Sequence, residues 1–108
     1  MPHENRKWLL HRALADRVVH GEGRAPAEQR AHAFRNEGLP PPLHALVDKT
    51  ATRPGHVTED DFAAARAAGS SEDELFELVV CAAVGQSARL YVAGLAALAE
   101  TARAGEDE

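Results

Sequence analysis

The chain has 108 residues, 12 Lys+Arg against 17 Asp+Glu, a net charge of −5 and an apolar fraction of 44%. That length suits one domain with a modest core, and an acidic balance without any Lys/Arg cluster excludes the basic face of a nucleic-acid binder. The single cysteine, Cys81, excludes an internal disulfide and fits a reducing compartment.

The N-terminus, MPHENRKWLLHRALADR, is charged where a signal peptide would be apolar. No uninterrupted apolar run approaches the roughly 20 residues of a membrane span. Together these features predict a soluble, cytoplasmic protein with neither nucleic acid nor membrane as partner. Much of the apolar fraction is alanine, which buries little surface at about 25 cal/mol per Å2. Such a helical chain is expected to complete its core by pairing with copies of itself.

Residues Glu4 to His20 read as a helix, with Leu10, Ala13, Leu14, Arg17 and Val18 at helical spacing and Trp8 and Leu9 beside them. Gly21 and Gly23 end it. A second helix is predicted from Pro26 to Asn36, facing inward through Ala27, Ala31 and Phe34, with Gly38 as its stop. Pro40, Pro41 and Pro42 read as a rigid extended spacer. The third helix, Leu43 to Thr52, turns Leu43, Leu46 and Val47 inward and is broken at Pro54-Gly55.

Thr58 with Asp61, and Ser71 with Glu74, each have capping-box spacing: a hydroxyl takes an orphan N–H while a carboxylate reaches back. The first box opens a helix over Glu59 to Ala68. The second opens a long one from Glu72 to about Ala102, unless Gly85 bends it, followed by a frayed tail over about 104–108. Leu78 to Val84 is an unbroken apolar run that predicts burial on most sides. There is no strand with clean alternation. The expected fold is one all-α domain over residues 1–108, with about five helices.

Candidate functional residues are few. At 100° per residue, Leu75, Val79, Ala82, Gln86, Arg89, Leu90, Ala93 and Ala97 share one face of the last helix. Gln86 and Arg89 interrupt that apolar stripe. A guanidinium there requires a carboxylate, an amide or a ligand anion. It is either an anchor in a pocket or interface, or one half of an internal ion pair with an acidic neighbour. Cys81 has apolar neighbours, which raise a thiol pKa and make it inert, so it reads as a structural residue; the alternative is a redox or nucleophilic thiol acting across a subunit interface. Tyr91 shares a side with Val80, Val84, Leu95 and Leu98 and reads as core packing. The six histidines stand singly, so no metal site is expected. No phosphate loop, G-x-S-x-G or zinc-like cysteine spacing is present, and no cofactor is implied.

Four segments resemble a known family. They are Leu46-Val47-Asp48-Lys49, Val57-Thr58-Glu59-Asp60-Asp61, Arg66-Ala67-Ala68-Gly69 and Asp73-Glu74-Leu75-Phe76-Glu77. In this order, over about Pro42 to Ala99, they resemble the C-terminal half of carboxymuconolactone decarboxylase-like proteins, the alkylhydroperoxidase D-like superfamily. The resemblance implies an all-α fold assembled as trimers or hexamers. Redox-active members of that family carry a C-x-x-C motif before the matched stretch. The corresponding segment, NRKWLLHRALADRVVHGEG, has no cysteine, so dithiol peroxidase activity is not expected.

The expectation is therefore a divergent or non-enzymatic homo-oligomeric member, acting as an accessory or interaction protein, with a separate protein partner as a further expectation. The alternative is a small-molecule enzyme of the lactone decarboxylase type. Its pocket between helices or subunits would draw on Gln86, Arg89, Tyr91 and a histidine such as His56, with Arg53 and His44 as further residues of suitable type.

Overall fold

The computed structural model describes residues 2–107, and the side chains of residues 6–105. Its elements run α1 (Pro2–His20), α2 (Ala27–Arg35), α3 (Pro41–Thr52), a 3-10 turn (Pro54–His56), α4 (Glu59–Ala67) and α5 (Glu72–Asp107). There is no strand among the described residues, and the architecture is the all-α one expected.

The capping chemistry forms as its spacing dictates. The Ser71 N–H donates to the Glu74 carboxylate at 2.8 Å, and the Glu74 N–H donates to Ser71 Oγ at 3.1 Å. These bonds hold the Glu74 carboxyl below its ordinary range. The Thr58 N–H donates to Asp61 at 2.9 Å, and Lys49 Nζ donates to the same carboxylate at 2.9 Å. Lys49 first, then Thr58, lowers the Asp61 pKa. The cap of α4 is thereby also a tie to α3.

The core gathers Leu43, Leu46 and Val47 of α3 with Leu75, Leu78, Cys81 and Ala82 of α5. Ala33 of α2, Ala65 of α4 and Ala25 of the first loop fill the small spaces between them. α1 runs back along α5, with Val18 beside Cys81 and Trp8 stacked on Tyr91. The result is a short bundle built on the first half of α5.

The stripes of the first two helices are rotated from those expected. Leu10, Ala13 and Leu14 of α1 are exposed, and the covered positions are Trp8, His11, Ala15, Val18 and Val19. In α2, Ala27 is exposed and Ala31 and Phe34 are half-buried, while Arg30 and Ala33 are buried. Alanine-rich helices define their apolar side weakly, so a buried polar contact can set the rotation.

The triproline is not a spacer. Pro40 is the extended N-cap of α3, and Pro41 and Pro42 form its first turn. Proline fits there because those N–H groups have no partner within the helix. α2 ends on Asn36, which takes the left-handed conformation at φ 57°, before Gly38 is reached.

α5 differs most from expectation. It is continuous through Gly85 and extends to Asp107. Only its first half is buried: from Val92 onward every described side chain is exposed. Even within Leu78 to Val84, Ala83 faces solvent. A helix of 36 residues spans about 54 Å, and the molecule measures 58 × 28 × 20 Å. α5 therefore projects well beyond the helices that cover it. By length and composition Glu72–Gly105 would pass for a membrane span, although Gln86, Ser87 and Arg89 interrupt its apolar sequence.

Candidate functional site

Gln86 and Arg89 meet where α2 crosses α5. The Arg89 Nη1 group donates to the Phe34 carbonyl at 2.7 Å, and Nε and Nη2 donate to Gln86 Oε1 at 3.2 and 2.9 Å. Phe34 lies in the last turn of α2, whose carbonyls have no donor within the helix. The guanidinium thus caps α2 from outside and favours the negative end of its dipole. Among the described residues no acidic side chain pairs with Arg89, as the internal alternative would require; a carbonyl and an amide serve instead.

Gly85 sits one turn before Arg89 against the same carbonyl. A Cβ at Gly85 would overlap the Phe34 carbonyl oxygen. Glycine is needed for close backbone approach at this crossing. Beyond it, Ala88, Arg89, Val92, Ala93 and Ala96 continue as an open apolar groove along α5.

The other expected site residues do not join this pair. Tyr91 is half-buried in an aromatic stack with Trp8 at a centroid distance of 5.6 Å and with His11 at 6.3 Å. His56 is exposed in the 3-10 turn that packs on α3. Arg53 and His44 are exposed. Among the described residues no group of three or more His, Cys, Asp or Glu side chains is arranged to hold a metal.

A second polar cluster was not anticipated. Arg30 is the only buried charged side chain among the described residues. It donates from Nε to the Ala25 carbonyl at 3.1 Å, and from Nη1 to the Gly21 and Val18 carbonyls at 2.6 and 3.3 Å. Opposite it, the Glu77 carboxylate accepts from the N–H groups of Arg24, at 2.8 Å to each oxygen, and Ala25, at 3.3 Å. Both side chains close on Gly23, where a Cβ would overlap the Glu77 carboxylate. The pair fixes the loop between α1 and α2 by supplying donors to its carbonyls and an acceptor to its amides. One sequence signal could have found it: Arg30 stands three residues before Ala33 on a short helix with few large apolar residues.

Cys81 adjoins this cluster. Its thiol donates to the Val18 carbonyl at 3.3 Å. Burial pushes its pKa up to about 11; nearby Glu77 also raises it, and Arg30 acts in the opposite direction. The thiol is therefore neutral at physiological pH and poorly nucleophilic. Native protein at pH 8 is expected to react with a thiol reagent at least about a thousandfold more slowly than denatured protein, because opening the core costs several kcal/mol. Fast native labelling would contradict this structural role.

No family model matches the chain, nor does any curated protein or solved structure.

Proposed function

We propose that this protein works by self-association, as a homo-oligomeric interaction protein without chemistry of its own. The kinship proposed is with the carboxymuconolactone decarboxylase-like proteins, as a divergent member. Its support is the four segments between Leu46 and Glu77; the missing dithiol is what makes the member divergent.

The observation that carries the reading is the exposure of large apolar side chains on α5. Phe76 is 69% exposed, Leu90 62% and Leu98 68%. An exposed apolar surface of this extent marks an interaction site, and a helix apolar on all sides is normally buried. The polar pair does not offer a competing site, since the hydrogen bonds of Arg89 are directed to Phe34 and Gln86.

Light scattering tests the reading. The expected result is a stable multiple of 11.6 kDa at micromolar concentration. A monomer persisting to several hundred micromolar would overturn it.

A further inference from the structure

The outer face of α5 carries a repeat that the bundle does not use. Phe76, Val80, Ala83 and Ser87, then Leu90, Gly94, Ala97 and Thr101, recur at alternating steps of four and three residues. That is the spacing of the a and d positions of a heptad, sustained for almost four heptads. None of the eight is charged. Seven are exposed and Val80 is half-buried. The core residues Leu75, Leu78, Cys81 and Ala82 occupy other heptad positions, so α5 is apolar on its inner face and again on its outer one.

We propose that this stripe is a two-fold interface in which α5 of one copy packs antiparallel against α5 of a second copy, centred between Ala88 and Arg89. The inference rests on the self-association proposed above and adds its surface, orientation and register.

The register follows from size complementarity. About this centre, Phe76 meets Thr101 of the second copy, Val80 meets Ala97, Ala83 meets Gly94, and Ser87 meets Leu90. Phe76, Val80 and Leu90 each meet a smaller residue, and Ala83 meets a glycine. A Cβ built on Gly94 has no neighbour within 4 Å in the single chain, leaving its backbone open to close approach. A parallel pairing would instead stack Gly94 on Gly94 and Ser87 on Ser87, leaving gaps that cost packing.

Charge favours the same orientation. Antiparallel pairing opposes the helix dipoles favourably, whereas a parallel pair would align them and set the acidic first turns of both copies, Glu72, Asp73 and Glu74, side by side. The antiparallel pairing also lays the uncovered half of each α5 over the bundle end of the other. There Phe76 forms a ridge between a cleft of about 440 Å3, with Phe62 and Val79 in its wall, and one of about 220 Å3, with Val18 and Val80 in its wall. The overlap is about 39 Å long.

A lipid surface fits less well. The apolar stretch Leu78 to Ala99 is long enough to span, at about 33 Å, but its first half is packed in the bundle core and Arg89 at its middle is held on the Phe34 carbonyl. The two-fold accounts for a dimer, or for a hexamer as three such dimers, but not for a closed trimer.

Two variants test the register, Ala83→Cys and Gly94→Cys, both at exposed positions; Cys81 is buried and stays out of the exchange. Oxidation of the mixed variants is expected to yield a disulfide joining one Ala83→Cys chain to one Gly94→Cys chain. Either variant alone should give at most about a tenth of that cross-link, since like positions lie about 16 Å apart along the pair. Cross-links within each variant alone would mean a parallel pair and overturn the inference. Absence of any cross-link in a wild-type oligomer would place self-association on another face, sinking the inference but not the proposed function. A wild-type monomer overturns both. Flotation of a monomer with phosphatidylcholine vesicles would assign the stripe to lipid.

Discussion

Gly85→Ala is expected to destabilise the protein by about 3 kcal/mol, although alanine is the better helix former by roughly 1 kcal/mol. The added methyl would overlap the Phe34 carbonyl oxygen. Backbone cannot move aside as a side chain can, so α2 and α5 would have to separate. Separation also breaks the Arg89 hydrogen bond to the same carbonyl. Gly94→Ala, compared at a protein concentration low enough to dissociate the proposed pair, is the control: its Cβ is unobstructed in the single chain, so the propensity gain should appear there as about 0.5–1 kcal/mol of added stability. Denaturant midpoints at unchanged m-value would measure both. Equal effects at the two glycines would refute the close crossing.

Arg30→Met should cost about 3 kcal/mol. Methionine approximates the length of the arginine stem but leaves the carbonyls of Gly21 and Ala25 without this donor and that of Val18 with only the Cys81 thiol. It also leaves Glu77 without the neighbouring positive charge. Arg30→Lys keeps the charge but not the planar fork, so it should recover only part of the loss. If Met and Lys were equally tolerated, Arg30 would be a solvated side chain rather than the anchor of the α1–α2 loop. Urea unfolding followed through Trp8, stacked on Tyr91, reports whether α1 detaches first.

The helices were legible because their ends carry strong local chemistry. Ser71 with Glu74 and Thr58 with Asp61 announce two starts, and the inward face of α3 follows from Leu43, Leu46 and Val47. The orientation of α1 and α2 was not legible. Leu10 and Leu14 look like core residues but lie outside, because α1 packs through Trp8, His11 and Ala15. α2 turns Arg30 inward because loop carbonyls twenty residues into the chain need a donor, a requirement no helical periodicity displays. The partnership of Gln86 with Arg89 could be anticipated from their shared face. Their role at a helix crossing depends on Gly85 and the end of α2. Burial along α5 misleads most in the sequence: apolar residues continue to Ala99, yet the covering helices end much earlier.

Amide hydrogen exchange along Val92–Gly105, measured over a range of protein concentration, tests most directly whether this uncovered half of α5 is a self-association surface. An isolated helical arm of that length frays readily in water. Its amides should exchange rapidly at low concentration and become about a hundredfold more protected as the pair forms. Rapid exchange that stays unchanged across the whole concentration range would contradict the account.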